Sequence, residues 1–278
     1  MTVREFAAAK VNLFLHVLGR RPDGYHELDS LVVFASVGDD IELSMHHEHV
    51  ISVEGPFADA VPHDESNLAM QAARQLGETM GRPDGIHIRI TKNLPVAAGL
   101  GGGSADAAAV LRGLGRLWEV GPSMAFPSVA QTLGADVPVC LHSRAARIGG
   151  IGETVEPIQV ETPLALVLVN CGTALATPDV FAACSTYGGA APDLTDAGIA
   201  AWVRAGRNDL EGPAMSLADG VAESLKELRG QAGCEVARLS GSGATCFGLF
   251  TDMTVAQKAA AALGAAHPDW WVVAAHAR

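Results

Sequence analysis

The chain has 278 residues, 49% of them hydrophobic and 18% charged. That is enough to bury a sizeable core in one large domain or two lobes, and too apolar for a disordered chain. The formal net charge of -12 repels nucleic-acid backbones and so disfavours a nucleic-acid reader. Five dispersed cysteines (Cys140, Cys171, Cys184, Cys234 and Cys246) form no CxxC pair, which reads as reduced thiols in a cytoplasmic protein. Arg4 precedes an apolar stretch from Val11 to Leu18, but Lys10, Asn12 and His16 interrupt it. The small residues Ala7, Ala8 and Ala9 also lie before it, the reverse of a secretion signal. The other apolar runs are too short to span a bilayer, so no membrane partner is expected.

Residues 6–18 alternate as a strand does, with Ala7, Ala9, Val11, Leu13, Leu15 and Val17 on one apolar face. Lys10 and Asn12 share the other face. Arg21-Pro22-Asp23-Gly24 has turn chemistry. Short strands are expected over Leu31 to Val37 and Ile41 to Leu43. A helix is expected from Asn67 to Met80 with Ser66 as its N-cap, and a strand through Ile86, Ile88 and Ile90. The glycine-rich stretch 99–103 leads into an expected helix over 104–118, and a second helix ends near Gly134. The second half predicts strands near 164–169, 235–239, 245–250 and 271–273. Its expected helices lie near 178–184, 213–229 and 254–264. Strands mixed with helices, some in hairpin-like pairs, predict an α+β fold. The stretch 149–163 marks the expected boundary, giving domains 1–155 and 156–278.

The most informative segment runs Pro95-Val96-Ala97-Ala98-Gly99-Leu100-Gly101-Gly102-Gly103-Ser104. Glycines just before a helix let the backbone approach a bulky anion, and the helix start adds free N–H donors and the positive end of its dipole. No lysine follows a glycine here, so GxxxxGK[ST] is absent, and GxGxxG fails at its last position. A second run, Ser240-Gly241-Ser242-Gly243-Ala244-Thr245, separates two strand-like segments. It reads either as a second phosphate wall or as a hairpin turn.

Pro95 through Ala109 resembles the central phosphate loop of the GHMP kinase superfamily, and Leu239 to Gly248 resembles its C-terminal glycine motif. The stretch Ala9 to Leu15, the block Gly19-Arg20-Arg21-Pro22-Asp23-Gly24-Tyr25-His26-Glu27-Leu28, Gly134 to Val139 and Thr177 to Phe181 are similar to the members that act in isoprenoid-precursor synthesis. The resemblance covers nearly the whole chain. It implies a two-lobe fold with ATP and acceptor in the cleft between the lobes. It also implies phosphoryl transfer from ATP to the 2-hydroxyl of 4-diphosphocytidyl-2-C-methyl-D-erythritol, a cytidine diphosphate-linked sugar alcohol. Asp136 would accept the hydroxyl proton, with Lys10 beside it. Asn12, Tyr25, His26, Thr177 and Phe181 would hold the acceptor, Tyr25 and Phe181 on opposite faces of the cytosine. Residues 95–104 with Gly241, Ser242 and Gly243 would hold the phosphates, and Asn67, Leu68 and Lys92 would lie near the nucleoside.

Without the resemblance, Tyr25 and Phe181 read as core aromatics, and Asp136 as a cap or turn residue. Asp106 suits the dipole of the first helical turn or lies near Mg2+. No carboxylate ligand for Mg2+ can be named. Mg2+ commonly binds through substrate phosphates and keeps its waters, so the metal ligands stay unassigned. His46, His47, Glu48 and His49 match no zinc spacing and read as a polar hairpin. Another GHMP small-molecule kinase, of mevalonate or homoserine type, and a non-catalytic α+β binding module remain the alternatives.

Overall fold

The computed structural model describes residues 1–82, 84–121, 123–185, 187 and 198–278. Its elements in chain order begin with strands β1 (Thr2–Arg20), β2 (His26–His46) and β3 (Val50–Glu54), helix α1 (Leu68–Thr79) and strand β4 (Gly85–Thr91). Helices α2 (Gly102–Leu117), α3 (Ala125–Leu133) and α4 (Val137–His142) follow, then strands β5 (Ala146–Gly150), β6 (Thr154–Pro157) and β7 (Leu164–Asn170). The remainder is α5 (Thr177–Ala183), α6 (Ile199–Ala205), α7 (Glu211–Leu217), α8 (Asp219–Arg229), β8 (Cys234–Leu239), β9 (Cys246–Phe250), α9 (Met253–Ala266) and β10 (Trp271–Ala277). The fold is α+β.

Two compact units share this chain, and neither is one continuous stretch. The first comprises residues 1–10, 37–96 and 101–143, and the second 11–36, 97–100 and 144–278. Strands β1 and β2 pair with each other, and each contributes to both units.

In the first unit β4 lies between β2 and β3. It runs antiparallel to β2, from Asp40 opposite Thr91 to His46 opposite Gly85, and parallel to β3. Ile86, Ile88 and Ile90 are fully buried while Arg89 is exposed, the period-two pattern of a half-buried strand. Helices α1 and α2 pack together, and α2 also packs on α4. In the second unit β7 pairs antiparallel with β10 on one side and β9 on the other, and β8 completes that row. Helices α8 and α9 cover these strands. Val167, Val169, Val221, Leu225, Leu239, Phe250 and Leu263 form its core.

Several expected boundaries move. The two short strands of the second segment are one continuous β2. Gly38 lies within it because a Cβ there would strike Ala7 O and, at 2.8 Å, Phe6 Cζ. The cap of α1 is Asn67, not Ser66: the Asn67 side chain accepts the Ala69 N–H at 2.9 Å. The glycine run is not wholly loop, since α2 already begins at Gly102. The expected helix over 213–229 is two helices, broken at Ala218, whose backbone is extended (φ -150°, ψ 106°). The histidine segment does not turn a hairpin, because β3 pairs with β4 rather than with β2.

Candidate active site

In the first unit the buried middle of β1 places Lys10, 5% exposed, with Nζ 2.8 Å from Asp136 Oδ1. An ammonium taken out of water needs such a counter-charge. Asp136 immediately precedes α4 and makes no side-chain cap bond, so its carboxylate serves Lys10 and still reaches solvent. Gly101 lies against this pair. A Cβ at 101 would stand 3.1 Å from Lys10 Cε and 3.7 Å from Asp136 Oδ2, and its φ is +62°. Only glycine adopts that backbone here without strain or crowding. The first bond of α2 is donated by Ala105 N–H to Gly101 O at 2.8 Å. The N–H groups of Gly102, Gly103 and Ser104 therefore have no acceptor within the helix. A helix start with free donors beside a carboxylate–ammonium pair can bind an anion and move a proton.

Behind that helix start, Lys92 Nζ bridges Asp39 Oδ2 and Asp106 Oδ2, both at 2.6 Å. All three side chains are buried. Burial alone would lower the Lys92 pKa, but Asp106 and Asp39 outweigh it and hold the ammonium above its usual range. Burial pushes the Asp106 carboxyl up to about 7, against the opposing pull of Lys92. Asp106, read from the sequence as a first-turn acid, is thus a buried ion-pair partner of Lys92. Asn67 is also held locally, since its amide group both caps α1 and donates to Pro62 O at 2.8 Å. Leu68 is the first residue of α1.

In the second unit two loops lock together. Ser240 Oγ donates to Gly99 O at 3.0 Å, and Thr245 N–H donates to Ala98 O at 3.1 Å. A Cβ at Gly99 would strike Ser240 O, and one at Gly241 would stand 3.0 Å from Gly99 O. The loop also holds Ala97 at φ +52°, a left-handed conformation uncommon outside glycine. Asn12 joins this group: its N–H donates to Ser240 Oγ at 3.1 Å and its Nδ2 to Ser30 Oγ at 2.8 Å. Thr177 Oγ1 and Ser242 Oγ are 2.8 Å apart. The His26 ring stacks on Phe181 with centroids 5.0 Å apart, and burial followed by Arg20 lowers its pKa, favouring the neutral ring. Tyr25 is 61% exposed, and Phe181 is only partly buried against the core. Tyr25 is therefore no core aromatic.

Two further residues, one in each unit, brace these loops without having been marked in the sequence. Asp39 Oδ1 accepts the N–H groups of Asn93 and Leu94 at 2.6 and 2.9 Å, just before the glycine run. Asn208 Nδ2 donates to Leu239 O and Gly241 O, both at 2.8 Å. No local motif surrounds either. The one available signal was a polar residue that must find partners once buried. Among the described residues no group of three His, Cys, Asp or Glu side chains is arranged to hold a metal ion, and no helix is long and apolar enough to cross a membrane.

Residues 67–144 match the family of GHMP kinases N terminal domains, and residues 195–269 the GHMP kinases C terminal family. The 4-diphosphocytidyl-2-C-methyl-D-erythritol kinase of Paramagnetospirillum magneticum is 51% identical over 275 residues, 97% of this chain and 96% of that one. The enzyme of the same name from Parvibaculum lavamentivorans is 49% identical over 97% and 96%. A crystal structure of 4-(cytidine 5'-diphospho)-2C-methyl-D-erythritol kinase superposes with a TM-score of 0.83 at 36% identity, covering 99% and 98% of the two chains. The homoserine kinase of Cytophaga hutchinsonii superposes with a TM-score of 0.73 at 18% identity, covering 99% of this chain and 94% of its own, which is a likeness of fold.

Proposed function

The chain belongs to the GHMP kinase family, and within it to the 4-diphosphocytidyl-2-C-methyl-D-erythritol kinases, and we propose that it passes the γ-phosphoryl group of ATP to the 2-hydroxyl of 4-diphosphocytidyl-2-C-methyl-D-erythritol. The products are ADP and the 2-phosphate, on the non-mevalonate route to isoprenoid precursors in the cytoplasm. We assign ATP binding to residues within 1–155 and the second kinase half to 156–278 as divisions of sequence, while the compact units themselves interleave along the chain.

The observation that carries this reading is the Lys10–Asp136 pair set against Gly101 at the start of α2. Asp136, reached by solvent on one side, takes the proton of the acceptor hydroxyl as its oxygen attacks the γ-phosphorus and the bond to the β-phosphate oxygen breaks. Lys10 holds the Asp136 carboxylate in place and offsets negative charge on the moving phosphoryl group. Phosphoryl transfer of this kind rests mainly on positioning and electrostatics. The N–H groups of Gly102, Gly103 and Ser104 hold phosphate oxygens, and residues 95–99 with Gly241, Ser242 and Gly243 are also assigned to the phosphates. Asn12 and Thr177 orient the acceptor, and Tyr25, His26 and Phe181 hold its cytosine. Asn67, Leu68 and Lys92 line the nucleoside end. The Lys92 ammonium is held between Asp39 and Asp106, and its backbone N–H and C=O bond to Glu54 O and the Phe57 N–H, so Lys92 shapes that end rather than bonding the nucleoside. Mg2+ commonly binds through substrate phosphates and keeps its waters, and in this reading it enters with ATP.

Coupled ADP release with a panel of alcohols tests the function. Turnover of 4-diphosphocytidyl-2-C-methyl-D-erythritol, but not of mevalonate or homoserine, is expected. Asp136→Asn is expected to lower kcat by about 10²–10⁴-fold, the range of general-base help. A near-normal kcat in that variant would remove Asp136 from the proton transfer.

A further inference from the structure

The transfer proposed above uses neither the Asp39 nor the Asp106 carboxylate, yet both lie inside the protein at the start of α2. Asp39 is fully buried and Asp106 is 4% exposed, and they share the single ammonium of Lys92. With all three groups ionised, the cluster carries an excess negative charge where water cannot solvate it, which is costly. The two carboxylates are not equivalent. Asp39 Oδ1 accepts two backbone N–H groups, and such bonds favour the ionised form. Asp106 Oδ1 is buried with no hydrogen-bond partner among the described residues. A proton is therefore held most readily on Asp106, whose carboxyl burial has already raised to about 7.

The cluster lies directly beneath the turn assigned to the phosphates. A Cβ at Gly102 would stand 3.2 Å from Lys92 Nζ and 3.8 Å from Asp39 Oδ2. The other elements packed on α2 bring little charge to this end. The buried face of α1 has no titratable group, and neither has that of α3. Cys140 of α4 is held neutral, its thiol pushed up to about 12 by burial. Arg112 of α2 is bonded to Glu5 and to Cys140 O. Lys10 and Asp136 are paired with each other beside Gly101.

We propose that Asp106 is a positioning residue for ATP that works by proton uptake: as the triphosphate settles on the amides at the start of α2, the Asp106 carboxylate takes one proton from solvent. The negative charge beneath the phosphates then falls by one, while Lys92 and Asp39 keep the turn fixed. A nearby anion favours the protonated form of a carboxyl, and the linkage is reciprocal, so protonation strengthens nucleotide binding by the same factor. The proposal rests on the assignment of residues 99–104 to the phosphates.

The test is calorimetric titration of the full chain with ADP and Mg2+ near pH 7.5, in buffers of differing ionisation enthalpy, for the wild type and Asp106→Asn. The phosphate titration of the nucleotide itself is common to both. The wild type is expected to take up about half a proton more than the variant, given a carboxyl that starts near 7 and rises by about one unit on binding. KM for ATP is expected to climb between about pH 7 and 8.5 in the wild type, and to climb less in the variant. Should the variant not fold, the 13C carboxyl resonance of Asp106 in the unmutated chain reports the same event, with its midpoint expected to rise when ADP is added. Absence of ADP binding overturns the phosphate assignment and this proposal together. ADP binding with equal proton counts, or with an unmoved Asp106 resonance, overturns this proposal alone.

Discussion

Lys10, Asn12 and His16 all lie on the polar face of β1, and all three are buried. Alternation of residue type along this strand is therefore not alternation of inside and outside. Each polar side chain meets a partner instead: Asp136 for Lys10, Ser30 for Asn12, and the Arg207 N–H for His16. Buried polar groups matched in this way specify geometry, and losing a partner costs more than the bond itself. Asp39 is the clearest case. Asp39→Ala takes the acceptor from two backbone N–H groups and one of two counter-charges from a buried ammonium. Its stability is expected to fall by about 3–5 kcal/mol, read as a lower urea midpoint. Asp39→Asn, which keeps an acceptor oxygen, is expected to lose less.

Among the elements, α1 and α2 begin in different ways. Asn67 caps α1 with its side chain, whereas Gly101 precedes α2 with none and leaves the first N–H groups open. The uncapped start is the one beside Lys10 and Asp136, where an anion can act as the cap. Asn67→Ala is expected to lower stability by about 1 kcal/mol, measured by denaturant unfolding. If Asn67 also holds the nucleoside, KM for ATP rises in the same variant. Asn67→Asp keeps the cap and separates the two effects. Strand and helix types were readable from period and turn chemistry, while their ends were not. Gly38 looks like a strand breaker, yet it permits the close approach of Ala7 within a continuous β2. Ala218 looks like a helix former, yet it separates α7 from α8. In both places a neighbour distant in sequence, or the path of the chain, overrides local preference.

For the whole molecule, a ligand that binds only the folded chain must stabilise it. ATP with Mg2+ at about 100 times its Kd is expected to add roughly 2.7 kcal/mol, seen as a higher melting temperature. No such rise with ATP would speak against the nucleotide site as a whole. An acidic chain, with its net charge of -12, can hold an anion only where local donors such as backbone amides outweigh the overall field.

The linear order of residues was sufficient for the α+β class, for both glycine runs, and for the need of a charge on an apolar strand to find a partner. These follow from period, backbone freedom and desolvation, which act over a few neighbouring residues. Only the tertiary structure decided that Asp39 and Asp106 share Lys92, 53 and 14 residues away in sequence, and that Asn208 braces Gly241 from 33 residues away. Contacts of that kind depend on how strands and helices stack. No local pattern encodes them, because each partner is an ordinary polar residue until the fold removes it from water.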